Sequence, residues 1–229
     1  MSQPSTERKI ISLVNPKSPI SEAYRSLRTN IQFTAADDQI QVIMVTSAGP
    51  GEGKSTTVSN LAVTYAQAEQ KVLVMEADLR KPTVHKMFLQ PNRIGISNVM
   101  LNQVTLNDII RETDVPNLYV ITSGPIPPNP SEILGSKKMA KAIAELREMF
   151  DIIIIDTPPV LALTDAQVVA TNSDGVIMVI DSGKVKRDAA IKAKANLEHV
   201  NARMLGVVLN NVKRNGSDSY YYYYYGKDE

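Results

Sequence analysis

Short, continuous apolar runs punctuate the chain at residues 42–46, 72–75, 118–121, 152–155, 176–180 and 205–209. They are rich in β-branched side chains and do not alternate with polar ones, which predicts parallel strands covered on both faces. Segments with helical periodicity fall between them, at residues 55–69, 106–111, 137–149, 164–171 and 187–201. A further helix is expected over residues 21–31, with Ser21 at its N-cap. Strands alternating with helices build βαβ units, so the expected fold is α/β: a doubly wound, mainly parallel sheet flanked by helices. In such sheets ligands sit at the carboxyl ends of the strands, and the chemistry is sought there.

Outside this pattern lie two stretches. Residues 1–19 show no periodic apolar pattern and read as a flexible arm before a single domain over residues 20–213. Residues 214–229 break the pattern again, with a Gly/Ser/Asp segment followed by six consecutive tyrosines, and read as a tail. The chain has 229 residues, enough for one α/β domain with a sizeable core. Its formal net charge of +1 gives no global electrostatic case for nucleic acid or an anionic membrane. The absence of cysteine excludes a disulfide framework, a zinc ribbon and a thiol nucleophile. His85 and His199 are the only histidines, which argues against a histidine-based metal site. The polar N-terminus lacks the apolar core of a secretory signal, and no apolar run approaches the ~20 residues that span a bilayer. A cytoplasmic location is therefore expected, with any membrane attachment supplied by a partner.

Directly after the first strand comes Ala48-Gly49-Pro50-Gly51-Glu52-Gly53-Lys54-Ser55-Thr56. This fits the phosphate-loop pattern, with Ala48 in the first glycine position. Glycines let the backbone curl so that successive N–H groups point at phosphate oxygens, and the helix starting behind them adds its positive dipole end. Lys54 is expected to reach the β- and γ-phosphates of ATP, and the Ser55 hydroxyl to ligate Mg²⁺. Gly49, Gly51, Glu52, Gly53 and Thr56 complete the expected nucleotide contacts.

Such a metal needs a carboxylate from a neighbouring strand. Asp156 ends the four-isoleucine run and is followed by Pro158-Pro159, which stops the strand. A second acidic pair, Glu76 and Asp78, follows residues 72–75 in Glu76-Ala77-Asp78-Leu79-Arg80-Lys81-Pro82. Alternation around Ala77 turns both carboxylates toward the same side. One is suited to help hold the metal and the other to accept a proton from an attacking hydroxyl.

Taken together, residues 48–56, 76–82 and 152–156 resemble the three nucleotide motifs of bacterial tyrosine kinases, within the MinD/ParA-like group of P-loop ATPases. Residues 21–30, residues 124–134 and the tyrosine-rich terminus are similar to that family too, so the resemblance covers roughly residues 18–225. It implies ATP- and Mg²⁺-dependent autophosphorylation of Tyr220, Tyr221, Tyr222, Tyr223, Tyr224 and Tyr225. It also implies a role in making or exporting capsular or extracellular polysaccharide. The implied partners are a membrane-bound activator with a cytosolic tail that brings the chain to the inner face of the membrane, further protein substrates on tyrosine, and a cognate phosphotyrosine phosphatase; nucleic acid is not among them. Glu22, Arg25 and Arg28 match the family's E-x-x-R-x-x-R oligomerisation motif and imply a ring-like homo-oligomer. Asn210 or Asn211, just after the last strand, is assigned an adenine contact by the same analogy. Glu76 departs from the family, which usually has Asp there; the longer side chain bears on catalytic rate more than on nucleotide binding.

An exposed aromatic run is an aggregation liability unless it has a use. Serving as phosphoacceptor accounts for it, because each phosphate adds about −1.5 to −2 charges. Two other readings remain from sequence. One is a positioning ATPase of the MinD/ParA type, against which stand Gly49 where those proteins typically carry lysine, and the lack of an amphipathic membrane helix or basic patch. The other is a nucleotide-binding scaffold with weak kinase activity.

Overall fold

A computed structural model describes residues 10–34 and 39–213. The elements run in the order α1 (Ile11–Val14), α2 (Pro19–Thr34), β1 (Val42–Ser47), α3 (Lys54–Ala66), β2 (Val72–Glu76), α4 (Val84–Met87), α5 (Ile96–Met100) and β3 (Arg111–Glu112). They continue with β4 (Leu118–Ile121), α6 (Pro130–Leu134), α7 (Lys137–Arg147), β5 (Ile152–Asp156), α8 (Asp165–Ala170), β6 (Gly175–Asp181), α9 (Arg187–Glu198) and β7 (Met204–Asn210).

The strands form one sheet in the order β3-β4-β2-β5-β1-β6-β7, parallel except for the short antiparallel pair of β3 with β4. The apolar runs divide residue by residue between its two faces. Val42 and Met44 join one buried cluster while Ile43 and Val45 join the other, and the isoleucines of β5 split in the same way. This is why the sequence reads as unbroken hydrophobicity: each face needs its own set of apolar side chains. On one face α3 supplies Val58, Leu61, Ala62 and Tyr65. The opposite face receives Met139, Ile143 and Leu146 of α7, Ala166 and Val169 of α8, and Ala193 and Leu197 of α9.

All six predicted strands are present. Three local expectations change. Residues 10–18, read as part of an arm, carry α1, which packs on the sheet's helical layer: Ile10 is buried and the Ser12 amide donates to Asn60 Oδ1 at 2.9 Å. Ser21 lies inside α2, and it is Ser18 whose hydroxyl accepts the Ser21 amide at 3.1 Å, so the cap falls one turn earlier. Residues 106–111 form a single 3-10 turn, Asn107–Ile109, that buries Leu106 and Ile109; the chain then extends as β3 and pairs Arg111 with Val120. Apolar spacing alone does not separate one buried turn from a longer helix. The short helices α4, α5 and α6 had no sequence signal long enough to announce them.

The amino end of β1 is held by a carboxylate on the turn before β6. Asp174 accepts the backbone N–H groups of Gln41 and Val42 at 2.9 and 2.7 Å and forms a two-pronged pair with Arg147 at 2.8 and 2.6 Å. Burial raises the Asp174 pKa, but the guanidinium and the two amides outweigh it and hold it below the ordinary carboxylate value. A folded pKa below the unfolded one contributes stability above the unfolded value and loses it as pH falls through the folded value. Asp174→Ala is therefore expected to cost about 2 kcal/mol near neutral pH, because two amides and a guanidinium lose a charged acceptor. In urea unfolding the difference from the parent chain should shrink below about pH 4, where the free carboxylate protonates.

Candidate active site

Because the central strands are parallel, their carboxyl ends gather at one edge of the sheet. Register places Glu76 beside Asp156 across β2 and β5, and Val45 beside Asp156 across β1 and β5. Asp181 and Asn210 end β6 and β7 side by side.

The loop from β1 to α3 is shaped by its glycines. Gly51 and Gly53 have φ of +75° and +98°, a left-handed conformation that side chains disfavour. A Cβ on Gly53 would stand 2.1 Å from Asn210 Nδ2. That amide donates to the Glu52 carbonyl at 3.0 Å, so Asn210 braces the loop from the end of β7. Its Oδ1 accepts the Asn211 amide at 3.0 Å. Glu52 is buried, accepts the Gly49 amide through one oxygen, and has its pKa raised by burial. Lys54 opens α3 and is buried, at 8% exposure. Thr56 lies one residue beyond Ser55, and its carbonyl accepts Asn60 Nδ2 at 2.9 Å.

Ser55 Oγ donates to Asp156 Oδ2 at 2.6 Å and lies 2.7 Å from Thr83 Oγ1. The second Asp156 oxygen is buried with no hydrogen-bond partner among the described residues. Burial pushes the Asp156 pKa up to about 7, against the Ser55 hydrogen bond and the Lys54 charge; Glu76 and Asp78 add to the rise. The three carboxylates expected at the strand ends are thus close enough to feel one another. A hydroxyl and a buried acid with an open lone pair, beside a glycine loop and a lysine, form a donor set suited to a hard divalent cation carried by a nucleotide.

Glu76 is differently engaged from what its position in the sequence suggested. Its Oε1 accepts the Thr83 and Val84 amides, and its Oε2 lies 3.3 Å from both the Ser123 amide and His85 Nδ1. Three backbone amides and the His85 ring nitrogen around its two oxygens turn it toward the chain after β2, so the geometry gives no support to its expected place among the metal ligands. Asp78 is half-buried and accepts the Lys81 amide at 2.9 Å.

Three contributors were missing from the sequence reading. Thr83 joins Ser55 through its hydroxyl, and nothing in the local pattern marks it. Asp165, fully buried at the start of α8, grips Arg80 at 2.9 and 3.2 Å and accepts the Ser131 hydroxyl, tying the turn after Asp78 to α6 and α8. Asp181 accepts Asn211 Nδ2 at 3.0 Å beside the loop.

On α2, Glu22 pairs with Arg25 at 2.7 Å on an exposed face. Arg28 instead turns inward, its Nη1 donating to the Thr64 carbonyl of α3 at 2.5 Å. Tyr220 to Tyr225 lie outside the described residues.

Fold and loop together define a P-loop nucleotide-binding protein. A family model described as an AAA domain matches residues 40–204. Tyrosine-protein kinase YwqD of Bacillus subtilis is 45% identical over 214 residues, covering 93% of this chain and 90% of that protein. The crystal structure of the chimerical protein CapA2B2 superposes with a TM-score of 0.87 at 45% identity, covering 90% of each chain. The kinase domain of the Escherichia coli tyrosine kinase ETK gives 0.88 at 32% identity, covering 95% of this chain and 85% of that one. The chain belongs to the bacterial protein-tyrosine kinase family.

Gly53→Ala combines a strained φ with the loss of the Asn210 brace. It is expected to weaken nucleotide binding by at least about tenfold while leaving the circular dichroism spectrum intact, as a titration with a fluorescent nucleotide would read.

Proposed function

We propose that this kinase transfers the γ-phosphoryl group of Mg-ATP to the tyrosines at residues 220–225, and that the modification regulates capsular or extracellular polysaccharide synthesis or export. The observation that carries the reading is the Ser55–Asp156 contact at 2.6 Å, with a buried, unpartnered Asp156 oxygen beside the phosphate loop. Relatives named as tyrosine-protein kinases support it over a positioning ATPase.

In this reading the loop amides of Gly51 to Thr56 cradle the phosphates, and Lys54 neutralises charge on the transferring group. Ser55 and Asp156 would hold the magnesium ion, which when bound would supply positive charge against the phosphates. Asp78 takes the phenolic proton from the attacking tyrosine. Glu76 acts through position: by holding the Thr83 and Val84 amides it fixes the turn whose Thr83 hydroxyl meets Ser55. The bond from the tyrosine oxygen to phosphorus forms as the β,γ-bridging bond breaks, and ADP leaves.

None of the described helices is long and apolar enough to cross a membrane. Recruitment to the inner face of the cell membrane by an activator with a cytosolic tail, and return to the unmodified state by a phosphotyrosine phosphatase, complete the proposal. Glu22, exposed on α2, and its half-buried partner Arg25 suit a contact between copies in a ring. Arg28 is better placed to join α2 to α3 within one copy.

Mass spectrometry of the tail after incubation with Mg-ATP and an activator fragment is the test. The parent chain should accumulate phosphate on residues 220–225. Lys54→Ala and Asp156→Asn should each lose at least about 100-fold in rate, by analogy with the removal of a preorganised electrostatic contact. Unchanged labelling in Lys54→Ala, or a tail that stays unmodified in the parent chain, would overturn the assignment.

A further inference from the structure

Asp165, at the start of α8, is a carboxylate with no exposed surface and no hydrogen bond to the phosphate loop or to Asp156. Its side-chain partners are Arg80 and Ser131. Arg80 donates through Nε to Oδ2 at 2.9 Å and through Nη2 to Oδ1 at 3.2 Å. The Ser131 hydroxyl of α6 donates to Oδ1 as well, and accepts Arg80 Nη2 at 3.2 Å, which closes a ring of three contacts. Burial raises the Asp165 pKa, but Arg80 and Ser131 outweigh it and hold it below the ordinary carboxylate value. Asp165 is therefore an anion at neutral pH. A buried anion and its one guanidinium are strongly tied, because leaving either charge alone in a dry site is unfavourable.

Arg80 follows Asp78 by two residues, and Leu79 between them is fully buried. The chain leaving Asp78 thus has two anchors, Leu79 in the core and Arg80 on Asp165. Asp78 itself is half-buried, and its two oxygens differ. Oδ1 accepts the Arg80 amide at 3.3 Å and the Lys81 amide at 2.9 Å, whereas Oδ2 accepts no hydrogen bond among the described residues. One oxygen fixes the carboxylate to the turn; the other is free to take a proton. We propose that Asp165, acting through Arg80, is a positioning residue for phosphoryl transfer. It holds the turn that aims the free Asp78 oxygen at the tyrosine hydroxyl, and Ser131 completes the clamp. Residues 124–134 thereby gain a use in the reaction, because buried Pro130 and Leu134 seat α6 so that Ser131 meets the pair. The inference rests on Asp78 being the proton acceptor. Displacing such a group by about 1 Å costs about 100-fold in rate, while the phosphate loop lies on other elements and keeps its nucleotide contacts.

The test is the single-turnover rate of tail phosphorylation in the full chain with Mg-ATP and an activator fragment, measured beside nucleotide affinity by fluorescent titration. Asp165→Asn keeps the shape and removes the charge. It should slow transfer by about tenfold or more and leave nucleotide affinity within about twofold of the parent chain. Arg80→Lys, which keeps the charge but not the two-pronged contact, should do the same, and Ser131→Ala should slow transfer by less. In an Asp78→Asn background these substitutions should cost little more, because the acceptor they aim is gone. A loss that multiplies in full onto that of Asp78→Asn would overturn the proposal, by showing that the clamp acts elsewhere. A parent-like rate in Asp165→Asn, or a nucleotide affinity that falls in step with the rate, would overturn it too. If Asp165→Asn does not fold, Arg80→Lys and Ser131→Ala carry the same cycle. Failure of the underlying reading looks different: Asp78→Asn would then transfer at the parent rate, which removes Asp78 as proton acceptor and this inference with it.

Discussion

A carboxylate buried at the end of a central strand is the constraint around which the rest of this structure is arranged. Asp156 is 1% exposed, and one of its oxygens has no partner among the described residues. Removing an acid from water is costly unless it is neutralised or paired, and its pKa rises accordingly. The Ser55 hydrogen bond and the nearby Lys54 offset part of that cost. A divalent cation would offset more. Parallel strand order makes the arrangement possible, because it delivers β5 and β1 to the same edge in register.

The surrounding polar groups serve to keep that edge fixed. Asn210 braces the phosphate loop from β7, Glu76 gathers the Thr83 and Val84 amides, and Asp165 anchors Arg80 after Asp78. The first and last join segments 158 and 85 positions apart, so the site is supported by the fold as a whole. Such charged hydrogen bonds within a dry edge are stronger than their counterparts in water.

Much of this was legible in the residues themselves. The six apolar runs became strands because each must supply both faces of a covered sheet, and that demand leaves an unmistakable continuous pattern. The phosphate loop was equally plain, since left-handed backbone at Gly51 and Gly53 admits few residues other than glycine. Glu76 was harder: its alternation with Asp78 gave the correct edge of the sheet, but not the three amides that turn its carboxylate toward the Thr83 segment. Arg28 shared helical spacing with Glu22 and Arg25, and only the packing of α2 on α3 turned it inward to Thr64.

Sequence by itself determined the class of sheet, the phosphate loop and the acids at the strand ends, because local periodicity and backbone permissiveness are written in adjacent residues. Tertiary structure alone decided which of those acids meets Ser55 and which residue braces the loop. Those outcomes depend on contacts spanning up to 158 positions, from Asn210 back to Glu52. No window along the chain contains both ends of such a contact, and the hydrogen bond exists only once the sheet has brought the strand ends together.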